Sequence, residues 1–373
     1  MSNYEELMPV SRPSIGDEEL EEVRKVFATR WLGMGAWVFK FEEKLKKFTG
    51  APHAIAVNTG TTALHLALDS IGVKKGDEVI VPSLTFVASA QAIMATGAKP
   101  VFCDIEKDTL NMDVSDMCKR ITKKTRAIMP VHFRGLPCDM AAILRIARSK
   151  KIRVVEDAAH AFGSYYKGKK IGSFGDVTCF SFDPIKNITC GEGGAITTRD
   201  AKLAHLIYKK RILGIDKDTW NRYKHKRDWF YNVSTLGFRY HMSNINAAIG
   251  LVQIGKFNKF NARKREIARS YDDAFKRIKD ITLLQANYED AAPFNYIIKT
   301  RKRDALMAFL KERKIDSGVH YIPNHLQSFF SKFKARLPVT EKIWKEIITL
   351  PLYYEMSDKD VDRVIDAVKE FFN

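Results

Sequence analysis

Cys179-Phe-Ser-Phe-Asp-Pro-Ile-Lys-Asn-Ile-Thr-Cys-Gly-Glu-Gly-Gly194 is the stretch whose reading decides the fold. Its first four residues, Cys179 to Phe182, read as an apolar strand, and Pro184 breaks that strand into a turn. Lys186 follows, then a Gly-Glu-Gly-Gly turn and a second expected strand, Ala195 to Thr198. Lysines normally occupy solvated surfaces. This one is set on a tight loop between two apolar strands, with few charges nearby. Burial lowers a lysine's pKa and frees its amine as a nucleophile. An ordinary turn lysine is the competing reading.

Outward from this block the pattern alternates. Ala54 to Val57 reads as a strand, Thr62 to Ile71 as a helix and Glu78 to Val81 as a strand. Ala88 to Ala95 (helix), Lys99 to Cys103 and Arg126 to Val131 (strands), Met140 to Lys150 (helix) and Arg153 to Glu156 (strand) continue it. Two amphipathic helices, Asp17 to Phe27 and Trp37 to Phe48, precede the series around the turn Trp31-Leu-Gly-Met-Gly35. Alternating strands and helices imply right-handed crossovers and a mostly parallel sheet. Ligands in such sheets gather at the carboxyl ends of the strands.

The residues at those ends carry chemistry. Asn58-Thr-Gly-Thr-Thr62 follows a strand and opens a helix, where free N–H groups and the dipole favour an anion. A plain capping turn reads equally well there. Phe86 follows another strand, as a ring at the sheet edge or as core. Asp157 ends the apolar run Ile152 to Glu156, as partner to a protonated ring nitrogen or as an N-cap for Ala158 to Phe162. Taken together, a phosphate cup, a stacking ring, a pyridinium partner and a Schiff-base lysine make a site for pyridoxal phosphate.

The bulk numbers leave room for this. The 373 residues suffice for two domains, and no apolar run approaches the roughly 20 residues of a membrane span. The five scattered cysteines, without a CxxC pair, argue for reduced thiols, and no metal site is expected. The polar segment MSNYEELMPVSRP is not a secretory signal, so a cytoplasmic protein is expected. A net charge of +18 suits an anionic partner. Its densest segments, Lys299 to Arg303 and the cluster Arg222, Lys224, Lys226 and Arg227, read as solvated faces rather than a nucleic-acid footprint. From Asn244 a long helical pattern runs toward Tyr271. A strand near Phe294 to Lys299, a helix Asp304 to Lys314, the segment His320-Tyr-Ile-Pro-Asn-His325 and a helix Asp358 to Phe372 follow.

The chain resembles the DegT-type nucleotide-sugar aminotransferases, the group that contains GDP-perosamine synthase, within PLP fold type I. The resemblance covers nearly the whole chain. It rests on Asn58-Thr-Gly-Thr-Thr-Ala-Leu-His-Leu-Ala67, Gly76-Asp-Glu-Val-Ile-Val-Pro-Ser83 and Val155-Glu-Asp-Ala-Ala-His-Ala161. The Ser181, Lys186, Gly-Glu-Gly-Gly194 block, Asn246-Ala-Ala-Ile-Gly250 and His320-Tyr-Ile-Pro323 complete it. It implies an aspartate-aminotransferase-like α/β fold. A large domain (1–255) with a mostly parallel sheet flanked by helices would precede a smaller C-terminal α+β domain (256–373).

The resemblance also implies roles. Lys186 would hold the cofactor as a Schiff base and shuttle the proton, and Asp157 would keep the pyridine nitrogen protonated. His160 would lie near the ring hydroxyl, Phe86 would stack on the ring, and Gly60, Thr61 and Ser181 would hold the phosphate. Glu192 would shape the turn. One relative with histidine at the lysine position is a sugar 3-dehydratase; Lys186 keeps the transaminase residue. Where much of the family has Gly-x-Asn-Tyr-Arg-Met, with its asparagine touching the neighbouring subunit's phosphate, this chain reads Gly237-Phe-Arg-Tyr-His-Met242. Arg239 is assigned to the cofactor phosphate across a homodimer interface; binding substrate, or neither, is the competing reading.

The expected activity is transfer of an amino group from L-glutamate to a keto group, C4 favoured over C3, of a nucleoside-diphosphate-linked deoxyhexose. Trp31, the loop Trp220 to Tyr231, His320 and Tyr321 are candidates for the sugar-nucleotide side. No nucleic-acid or membrane partner is expected. The alternatives are a fold type I enzyme acting on a non-nucleotide substrate, and a non-catalytic sensor of the same fold.

Overall fold

The structure, a computed structural model, describes residues 7–216 and 231–373. Twelve strands form: β1 His53–Val57, β2 Glu78–Pro82, β3 Lys99–Cys103, β4 Thr125–Ile128, β5 Arg153–Asp157 and β6 Tyr165–Tyr166 come first. β7 Lys169–Lys170, β8 Val177–Ser181, β9 Gly194–Thr198, β10 Thr282–Leu283, β11 Tyr296–Lys299 and β12 Ile347–Leu350 follow. A seven-stranded sheet takes the order β1-β9-β8-β5-β4-β2-β3. β3, β2, β4, β5 and β8 run parallel, while β9 is antiparallel to both of its neighbours. β8 and β9 are buried at every position, as strands covered on both faces must be.

Helices cover both faces. α1 Asp17–Ala28, α2 Ala36–Thr49, α3 Gly60–Ser70 and α4 Val87–Ala95 include the four expected before β3. On one face Leu64, Leu68 and Ile93 pack against Val79, Val81 and Ile196. On the other, Phe41, Leu45 and Phe257 pack against Phe162, Phe180 and Phe182.

A 32-residue helix, Asn244–Phe275, starts at Ser243, whose hydroxyl caps the Asn246 N–H. The boundary expected between 255 and 256 falls within it. Its first half packs on α1 and α2; farther on, Ile267, Tyr271 and Phe275 join Ile298, Ile348 and Leu350 in a second core. That core is built on the antiparallel sheet β10-β11-β12 and the C-terminal helix Asp358–Phe372. A third group, with Leu84 and Phe133 against Leu284, Ile297 and Ile347, brings the C-terminal part over the carboxyl ends of the large sheet.

Three expectations are corrected. β4 stops at Ile128 instead of Val131, because Pro130 offers no N–H to the ladder, although a single bridge from Val131 to Asp157 prolongs the pairing. Ala158 to Phe162 forms turns, not a helix. Lys299 and Arg303 are buried rather than on a solvated face; Lys299 Nζ donates to Lys107 O at 2.8 Å. The basic cluster Arg222 to Arg227 and most of the loop from Trp220 lie outside the described residues. Among the described residues no helix is long and apolar enough to cross a membrane.

Candidate active site

A cavity of about 450 Å³ opens at the carboxyl ends of β1, β2, β5 and β8. Lys186 enters it from the turn after β8. The turn is closed by Phe182 N–H to Gly193 O (2.8 Å) and Cys190 N–H to Phe182 O (2.9 Å). Asp183 accepts the Ile185 N–H at 3.1 Å, which holds the bend before the lysine. Lys186 Nζ stands 4.3 Å from the centroid of the Phe294 ring. The side chain as a whole is partly exposed, yet its amine is desolvated. Burial pushes the pKa down to about 8 against the pull of Asp183 and Asp157.

Asp157 ends β5 at the back of the cavity, 4% exposed. Ser89 Oγ donates to its Oδ2 at 2.7 Å, and the Ala159 N–H donates to Oδ1 at 3.1 Å. Burial raises its pKa, with Ser89, Ala159 and Lys186 opposing the rise. A buried carboxylate of this kind is stabilised by a cation brought against it.

His160 stacks on Phe294, centroids 3.9 Å apart at 11°. Its Nε2 lies 3.1 Å from Tyr321 Oη, while Nδ1 is buried with no hydrogen-bond partner among the described residues. Burial, then Lys186 and His320, hold its pKa well below the ordinary value, so the ring is neutral. Tyr321 and His320 reach the cavity from the C-terminal part. Asn324 clips that segment in place, its Nδ2 donating to Ser83 O (3.1 Å) and Thr85 O (2.9 Å). His320 Nδ1 lies 2.8 Å from Thr349 Oγ1, and burial beside Lys186 lowers its pKa to about 4.

The turn after β1 is a cap that leaves free N–H groups facing the cavity. The Thr59 hydroxyl accepts the Thr62 N–H at 3.1 Å. Gly60 and Thr61, the first two residues of α3, keep N–H groups that no helical carbonyl can accept. Two glycines let this turn lie on the β8–β9 pair. A Cβ on Gly60 would stand 2.7 Å from Ser181 Cβ, and one on Gly194 2.3 Å from Thr59 O. The Ser181 hydroxyl is thereby held at the mouth of α3. Phe86 is 52% exposed at the cavity, not core, with its ring 5.6 Å from Tyr321.

Lys186, Asp157, His160, Gly60, Thr61, Phe86, Ser181, His320 and Tyr321 thus share one cavity. Trp31 and Arg239 do not line it. The Trp31 indole donates to Met34 O at 3.0 Å within its own turn, and Arg239 is exposed beside Ile212. Residue reading missed Ser89, Phe294 and Asn324, since only the fold brings them to the strand ends. Glu192, expected to shape the turn, lines the cavity, its pKa raised by burial and Asp183.

These residues fit pyridoxal phosphate. Free N–H groups and a hydroxyl stand ready for a dianion, a buried carboxylate for a pyridinium, the unpartnered His160 Nδ1 for a polar substituent and a desolvated amine for the aldehyde.

Residues 13–369 match the model of the DegT/DnrJ/EryC1/StrS aminotransferase family. The spore coat polysaccharide biosynthesis protein SpsC of Bacillus subtilis is 40% identical over 375 residues, 97% of this chain and 96% of that protein. The aminotransferase TlmJ from Streptoalloteichus hindustanus superposes with a TM-score of 0.91 at 33% identity, covering 98% of both chains. The putative sugar aminotransferase Spr1654 from Streptococcus pneumoniae, in its PLP form, superposes with 0.90 at 30% identity and 98% of both. The chain belongs to the DegT/DnrJ/EryC1/StrS aminotransferase family and is a pyridoxal-phosphate-dependent aminotransferase of fold type I.

Proposed function

We propose that this protein transfers an amino group from L-glutamate to a keto group of a nucleoside-diphosphate-linked deoxyhexose, C4 favoured over C3, in aminosugar or surface-polysaccharide biosynthesis. The observation that carries the reading is the desolvated Lys186 amine in one cavity with the buried Asp157 carboxylate. SpsC, named for spore coat polysaccharide biosynthesis, and the sugar aminotransferases of the same fold support a sugar as acceptor.

Bound pyridoxal phosphate supplies an electron sink for the pair left when a carbon next to nitrogen loses its proton. The chain does the rest. Lys186 Nζ, neutral above about pH 8, takes the proton from the donor's Cα and returns one at the sugar carbon. Asp157, fixed by Ser89 and Ala159, would keep the cofactor's ring nitrogen protonated. The N–H groups of Gly60 and Thr61, with the Ser181 hydroxyl, would hold the phosphate. Phe86 would pack on the ring, and neutral His160 would offer hydrogen bonding without added charge.

Lys186 is the sole lysine or arginine lining the cavity among the described residues. A cofactor phosphate, a diphosphate and a glutamate carboxylate need more positive charge than that. We assign it to Arg239 of a second copy, in a cytoplasmic homodimer whose sites lie at the interface; Arg239 is exposed and outside its own chain's cavity. His320, Tyr321 and, from the interface side, Trp31 would contact the substrate.

The test is amine formation from glutamate on a panel of GDP-, UDP- and dTDP-linked 3-keto and 4-keto sugars. Glutamate-dependent amine on any of these supports the reading, and amine on none of them removes it. Arg239→Ala should weaken cofactor binding in the dimer and leave Lys186 chemistry intact.

A further inference from the structure

Lys264, on the long helix, is buried to 7% exposure, and no carboxylate is bonded to it among the described residues. Burial alone pushes its pKa down to about 7. Its Nζ donates to Asn187 Oδ1 at 2.8 Å. Asn187 follows Lys186 directly, and its Nδ2 donates to Phe162 O at 3.3 Å and Ala292 O at 3.2 Å. Those carbonyls lie two residues from His160 and Phe294, the stacked pair whose Phe294 ring stands 4.3 Å from Lys186 Nζ.

A carboxamide has an oxygen end and a nitrogen end of almost the same shape. Here its surroundings permit only one orientation. The two carbonyls accept only, so they take the NH2 end, and the oxygen end faces Lys264 Nζ, which donates to it whether charged or neutral. Turned over, Asn187 would set its oxygen against two carbonyl oxygens. We propose that Lys264 is a positioning residue for the transamination: through Asn187 it fixes the turn that carries Lys186 relative to His160 and Phe294. The proposal rests on the reading of Lys186 as the Schiff-base lysine.

A buried lysine without a counter-ion costs stability, and apolar replacements of buried charges are often neutral or stabilising. Stability is therefore not what Lys264 supplies. Two variants separate the possibilities. Lys264→Met keeps the bulk and removes the donor; Lys264→Gln removes the charge and keeps an N–H donor.

Both should fold with Tm at or above wild type. Lys264→Met should lower kcat roughly 10- to 100-fold with little change in KM, as a displaced reacting group does. It should also move the midpoint of the pH titration of the bound-cofactor absorbance and speed hydrogen exchange across residues 183–190 of the cofactor-free protein. Lys264→Gln should recover most of each. A Lys264→Met protein with wild-type kcat, titration and exchange overturns the proposal. So does equal impairment of both variants, or a lower Tm with an unmoved titration midpoint. A wild-type protein that carries no cofactor on Lys186 would sink the underlying reading instead, whatever the variants do.

Discussion

The Ser89 hydroxyl donates a 2.7 Å hydrogen bond to Asp157 Oδ2, joining the first turn of α4 to the end of β5. With the Ala159 N–H on the other oxygen, this fixes the carboxylate that burial would otherwise drive toward its neutral form. Hydrogen bonds to charged groups contribute about 1.5–3 kcal/mol. Ser89→Ala should therefore lower kcat/KM by roughly 10- to 100-fold. Asp157→Asn, which removes the charge itself, should cost at least about 100-fold. Steady-state kinetics on cofactor-saturated protein check both, and a Ser89→Ala enzyme within twofold of wild type would count against the assignment.

Lys186 sets a pH dependence. Its amine attacks an aldehyde only when neutral, and burial lowers its pKa to about 8. Below that value the rate at which cofactor-free protein takes up pyridoxal phosphate should rise with pH, about tenfold per unit, and it should level off above pH 8. A lysine at its ordinary value of 10.5 would keep rising to that pH instead. Stopped-flow absorbance across pH 6 to 10 distinguishes the two.

Gly60 leaves no room for a side chain in the proposed phosphate cradle. A methyl group there meets Ser181 Cβ at 2.7 Å, so Gly60→Ala must push α3 away from β8. Overpacking of this kind costs about 1–3 kcal/mol. The dissociation constant for pyridoxal phosphate should rise roughly 5- to 100-fold with the fold retained, as read by cofactor titration and circular dichroism.

Asn324 holds His320 and Tyr321 over the cavity without touching it. Asn324→Ala removes the Nδ2 donor from Thr85 O and leaves Ser83 O only the backbone N–H of residue 324, a loss of about 1–3 kcal/mol. The expected result is a lower Tm and a raised KM for the sugar, with kcat for the glutamate half-reaction unchanged. A changed glutamate half-reaction with an unchanged sugar KM would contradict this placement.

The sheet was legible because its strands are short apolar runs separated by amphipathic helices, and the chemistry sits where such strands end. β5, β8 and β9 matched to within two residues at either end for that reason. The helix Ala201–Lys210 went unread although Asp200 caps it, because its apolar positions are interrupted by lysines and a histidine. Ser89, Phe294 and Asn324 carry no local signal; a serine inside a helix or an aromatic before a strand is ordinary until the fold sets it against Asp157, His160 or Ser83. Asn58 to Thr62 reads as a cap or as an anion site because one geometry suits both: the Thr59 hydroxyl caps α3, and the first N–H groups of the helix are left free. Trp31 lies outside the cavity, its indole donating to Met34 O in the same turn, so its place on the sugar side rests on a second copy.

The central claim, that Lys186 is the amine through which this aminotransferase works, is tested most directly by borohydride reduction of the cofactor-loaded protein followed by peptide mapping. The account predicts a single cofactor adduct on Lys186, absent from Lys186→Ala and lost when the wild-type protein is first treated with glutamate. An adduct on another residue, or one that survives in Lys186→Ala, would contradict it.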